Sequence, residues 1–76
     1  MEENVIKILR NCSEEILNYT GPNMVDDEII DSFSLISLIS DLEEAFGIEI
    51  DAEYITEENF GNKECIIKLM KKLTGN

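Results

Sequence analysis

Between Ser32 and Phe46 apolar residues recur at steps of three and four: Leu35, Leu38, Ile39, Leu42, Ala45 and Phe46. That period is one stripe of an amphipathic helix. The segment carries its own end signals. Ser32 suits the N-cap, where a hydroxyl accepts a hydrogen bond from an early helix amide. Gly47 suits the left-handed residue that closes a helix. The opposite face holds Ser34, Ser37, Ser40, Asp41, Glu43 and Glu44. Phe33 and Ile36 fall off the stripe near its start. Phe33 reads as turned outward, and Ile36 as leaning towards the core.

The same periodicity organises the rest of the chain. Glu2 to Leu17 reads as one helix with Val5, Leu9, Cys12 and Ile16 on its stripe, ended by Gly21-Pro22. Asn18 to Asp31 is a long connection with apolar anchors at Met24, Val25, Ile29 and Ile30, so it packs onto the domain. Ile29 and Ile30 precede the central helix as a hydrophobic staple would, and Tyr19 closes one end of the core. Ile48 to Ile55 reads as extended loop, because a lone strand has no partner. Thr56 to Asn59 forms a single turn capped by Thr56, anchored by Phe60 and broken by Gly61. Asn62 caps a last helix running to about Leu73, striped by Ile66, Leu69, Met70 and Leu73; Gly75 and Asn76 form a loose end. The expectation is an all-α fold of one domain, residues 1–76: a small four-helix bundle of three main helices plus one short helix.

Charge narrows the functional classes. Lys and Arg total 6 against 17 Asp and Glu, a net charge of −11. No basic residue lies between Arg10 and Lys63. A phosphate backbone needs positive charge, so nucleic acid is excluded as the expected partner, and basic protein surfaces are favoured. No leader peptide and no apolar run long enough to span a bilayer is evident, which predicts a cytoplasmic monomer. Histidine is absent, and Cys12 and Cys65 are too far apart for a redox or metal motif. Both cysteines read as buried thiols on helix faces. Asp26, Asp27, Glu28 and Asp31 lack the glycine and twelfth-position glutamate of a calcium loop, so no metal site is expected. Ser32 has no base and no oxyanion hole, and a non-catalytic protein is expected.

The stretch Asp31-Ser32-Phe33, followed by the helix ending Glu43-Glu44-Ala45-Phe46-Gly47-Ile48, resembles the modification segment of the acyl carrier protein superfamily. The resemblance covers nearly the whole chain. It implies that Ser32 carries a covalent 4'-phosphopantetheine from coenzyme A, with Asp31 orienting the serine or engaging the transferase. It also implies docking through Phe33, Ile36, Asp41, Glu43 and Glu44. The implied partners are a phosphopantetheinyl transferase, an adenylating or acyl-loading enzyme, and an acceptor acyltransferase or synthase. Fatty-acid carriers commonly read Gly-Ala-Asp-Ser-Leu at this site, whereas this chain reads Ile29-Ile30-Asp31-Ser32-Phe33. That pattern, with Glu57-Glu58-Asn59-Phe60, Asn62-Lys63 and Ile66-Ile67, is more similar to D-alanyl carrier proteins. Those often have tryptophan where Phe60 stands. Two alternatives stay open: an acyl carrier for fatty acid or polyketide-type synthesis, and an acidic helical interaction module without a prosthetic group.

Overall fold

Three amphipathic helices bury their stripes on one another in the computed structural model, which describes residues 2–75. They are α1 (Glu2–Cys12), α3 (Ser32–Phe46) and α5 (Lys63–Thr74). Two single turns accompany them, α2 (Glu15–Asn18) and α4 (Glu57–Phe60), with a 3-10 turn at Ala52–Tyr54. The described residues contain no strand. The all-α expectation stands, and its three main helices and short helical turn are all present. The predicted end at Asn76 lies outside the described residues.

α1 is the hub, packing against both α3 and α5. It contributes Val5 and Leu9, α3 contributes Leu38 and Leu42, and α5 contributes Ile66 and Met70; all six are fully buried. Removing a side chain such as Leu42 to alanine costs about 2–5 kcal/mol, because transfer energy is lost and a cavity remains.

The helix expected over Glu2–Leu17 breaks after Cys12. The Ser13 hydroxyl accepts the Glu15 amide at 3.3 Å, and the Ser13 carbonyl accepts from Ile16 at 3.2 Å. A serine bonding locally offers the backbone an alternative to the helical ladder. The chain bends there, and Ile16 still reaches the core.

The long connection is built rather than loose. Met24 is fully buried, and its amide donates to the Gly61 carbonyl at 2.9 Å. The Asn23 side chain accepts from the amides of Val25 and Asp26. The Tyr19 hydroxyl donates to the Asp27 carboxylate and accepts from the Asn23 amide. Its ring packs against the edge of the core. Gly61 is required by close approach, since a Cβ there would lie 2.2 Å from the Pro22 carbonyl oxygen.

Three local expectations are corrected. Thr56 is extended at the start of α4, but its side chain accepts no cap bond; its carbonyl takes the Asn59 and Phe60 amides instead. Ala45 is exposed, because the stripe rotates out of the interface near the end of α3. Ile48–Ile55 is extended only in part, since Tyr54 and Ile55 donate back to Asp51 and Ala52. Asn62 does cap α5, accepting the Cys65 amide at 3.1 Å, and its own amide donates to the Gly21 carbonyl.

Candidate functional site

The site forms where the long connection enters α3. Ile30 is buried in the staple position and Leu35 packs on the same core, which fixes the approach of the chain. Asp31 is extended (φ −94°, ψ 173°), and its carboxylate accepts the Ser34 amide at 2.7 Å. Asp31, not Ser32, is therefore the N-cap. Asp31 is the last extended residue before α3, so its carboxylate and not the Ser32 hydroxyl is placed to reach the amide three residues on. The amide and hydroxyl of Ser34, and then the Phe33 amide, hold the Asp31 carboxyl below its usual range.

Ser32 becomes the first helical residue. It is exposed, and its hydroxyl makes no hydrogen bond among the described residues. The Asp31 carboxylate accepts the Ser34 amide, and the Leu35 amide donates to the Asp31 carbonyl.

The other predicted residues fall on two flanks of α3. Phe33 is 82% exposed and, with Asp41, Ser37 and Asn11, lines a groove towards α1 of about 400 Å³. Ile36 is 62% exposed, so its leaning towards the core is corrected: it stands outward. Glu43 and Glu44 line a separate cleft towards Gly47–Ala52. Their roles differ, because Glu43 accepts the Ile50 amide at 2.7 Å and ties the chain after α3 back to the helix. Glu44 is exposed, as is Asp41. Gly47, at φ +62°, closes α3, its amide donating to the Glu43 carbonyl.

Both cysteines read as buried from the sequence, and both are half-buried; Cys12 is the one that lies beside the site. Its thiol lies 3.9 Å from the Ser34 carbonyl, and it borders both the Phe33 groove and a cleft containing Ser32. Burial pushes the Cys12 thiol pKa up, with Asp41 and Asp31 adding to the effect. The sequence signal was its position at the last turn of α1, where a helix face leaves the core. Among the described residues no group of acidic, cysteine or histidine side chains has the geometry to hold a metal ion. None of the described helices is long and apolar enough to cross a membrane.

The fold is a small all-helical bundle, consistent with an acyl carrier protein-like arrangement. Curated relatives agree with that resemblance. The chain is 26% identical over 73 residues to D-alanyl carrier proteins of Listeria welshimeri and Listeria monocytogenes, covering 93% of this chain and 94% of each relative. No family model matches the chain, and no solved structure matches it.

Proposed function

We propose that the chain is a carrier protein that holds acyl or aminoacyl groups as thioesters on a 4'-phosphopantetheine arm at Ser32 and delivers them to partner enzymes. The observation that carries this reading is the exposed, unbonded Ser32 hydroxyl on the first residue of a capped helix. A transferase can reach that hydroxyl without unfolding anything. In the attachment, Ser32 Oγ bonds to the pantetheine-side phosphorus of coenzyme A. Adenosine 3',5'-bisphosphate leaves, and the hydroxyl proton passes to a base supplied by the transferase. The arm supplies the thiol on which cargo is carried. Asp31 fixes the mouth of α3 so that Ser32 is presented in one geometry. Phe33 and Ile36 offer the partner an apolar contact, with Asp41 and Glu44 as acidic neighbours for its Lys or Arg. The name of the curated relatives favours D-alanine as the cargo over a fatty or polyketide acyl group.

The test is incubation with coenzyme A, magnesium and a broad-specificity phosphopantetheinyl transferase. Intact mass should gain one arm, which peptide mapping should place on Ser32. Ser32→Ala should gain none and melt within about 0.5 kcal/mol of the wild type, because Ser32 supplies no cap. The arm-bearing protein, offered D-alanine with an adenylating enzyme or acyl donors with their transferases, should be loaded with D-alanine. Absence of mass gain with a transferase active on another carrier would leave an interaction module without a prosthetic group.

A further inference from the structure

Three features have no part in presenting the Ser32 hydroxyl: a cleft beside Ser32, a groove holding Cys65, and the acidic loop at residues 26–28. The first is the one with a defined occupant. We propose that the arm on Ser32 rests along the cleft between the Cys12–Ser13 end of α1 and the Val25–Ile30 stretch, where it covers the Cys12 thiol. This rests on the carrier reading of Ser32.

Ser32 itself lines this cleft, so the tether and its resting place share an edge. Neither the groove towards α1 at Phe33 nor the cleft at Glu43 and Glu44 includes Ser32. The cleft measures about 630 Å³, within the roughly 300–1,000 Å³ typical of small-molecule sites. Its lining matches the neutral part of a pantetheine chain. Val25 and Ile29 are half-buried, and they offer an apolar wall to a branched dimethyl carbon. Ser13 and Ser34 also line the cleft; the Ser13 hydroxyl, accepting the Glu15 amide, keeps a proton to donate, and the Ser34 hydroxyl, bonded to Asp31, keeps a lone pair to accept. Glu28 and Asp31 stand at the same cleft and repel the phosphate. Asp31 also occupies the Ser34 amide. The phosphate therefore stays in water, while the neutral chain gains from leaving it.

Cys12 tolerates this neighbour. The thiolate, not the thiol, attacks a thioester. Burial together with Asp41 and Asp31 keeps this thiol protonated further up the pH scale than a free one. A carried thioester passing over Cys12 meets less thiolate there than beside a free cysteine.

The two cysteines make the test internal. Cys65 lies in a different groove, with Glu58, Asn59 and Lys68, and serves as the control. The protein with and without its arm is alkylated with neutral iodoacetamide across a range of pH. Peptide mass spectrometry then separates Cys12, Cys65 and the arm thiol. The high-pH plateau is the quantity that decides. Added phosphate charge moves only the midpoint of the profile, whereas occlusion lowers the plateau. The expected result is a Cys12 plateau several-fold lower with the arm, and a Cys65 plateau unchanged. Methyl NMR should show Val25 and Ile29 shifting on attachment and Ile48 not. Unchanged Cys12 reactivity, or an equal fall at both cysteines, overturns the resting place and leaves the carrier reading intact. Failure to gain the arm at all overturns the carrier reading, and this inference with it.

Discussion

At the residue scale the decisive side chain is Asp31. It caps α3 by accepting the Ser34 amide, and it leaves the Ser32 hydroxyl without a hydrogen bond among the described residues. Its carboxyl is held below the usual value of 3.8 chiefly by the Ser34 amide. A carboxyl with a depressed folded pKa stabilises the fold above its unfolded pKa, and that contribution is lost as pH falls through the folded value. Asp31→Asn keeps a side-chain oxygen for the cap but has no charge to lose. The gap in melting temperature between wild type and Asp31→Asn should therefore be constant at neutral pH and close in acid, below about 4. Thermal melts from neutral pH down into acid measure it. A gap that persists unchanged into strong acid would remove the charge from the cap.

At the element scale, α3 has one face in the core and the other offered outwards. Phe33 and Ile36 are apolar yet exposed, and Leu42 is fully buried. Phe33→Ala and Ile36→Ala should each change stability by no more than about 0.5 kcal/mol, while lowering affinity for the transferase. Leu42→Ala should cost about 2–5 kcal/mol. Denaturant melts beside modification kinetics separate the two behaviours. The two adjacent glutamates should part in the same way. Glu43→Lys breaks the bond to the Ile50 amide and should cost about 1 kcal/mol. Glu44→Lys should leave the melt unchanged and slow docking. Equal melts for both variants would deny Glu43 its structural task. Much of this was legible from periodicity. The stripes of α1, α3 and α5 follow from apolar spacing, and Gly47 and Asn62 mark helix ends as their chemistry requires. What periodicity carried too far was α1, because Ser13 turns the backbone without changing the apolar spacing that reaches Ile16. The start of α3 was legible as a segment, but its cap was not legible in register. Ser32 and Asp31 are both cap formers, and only backbone geometry decides between neighbours. Glu43 and Glu44 look alike in sequence, and the turn at Gly47 alone brings Ile50 back to one of them.

At the scale of the whole molecule, charge is unevenly placed. All six basic residues lie on α1 and α5. Lys71 pairs with Glu2 at 3.7 Å, Lys63 donates to the Leu17 carbonyl at 2.9 Å, and Lys72 sits 5.7 Å over the Tyr54 ring. α3 has no basic residue in its first or last turn, and acidic side chains stand at Asp31, Asp41 and Glu44 around its outward face. A net charge of −11 thus presents a negative pole at the surface that bears Ser32. Such a field speeds encounter with a basic partner by about 10- to 1,000-fold at low salt, and salt removes the gain. Between about 0.01 and 1 M salt the screening length falls from about 30 to 3 Å. The kcat/KM for arm attachment should fall steeply over that range, while kcat at saturating carrier changes little. Asp41→Lys with Glu44→Lys should flatten the dependence, since the field at the approach is then largely cancelled. The same salt should raise the melting temperature of the wild type, because crowded carboxylates repel one another in the folded state. A salt-independent attachment rate would mean that Phe33 and Ile36 alone govern docking, and that the acidic pole serves solubility.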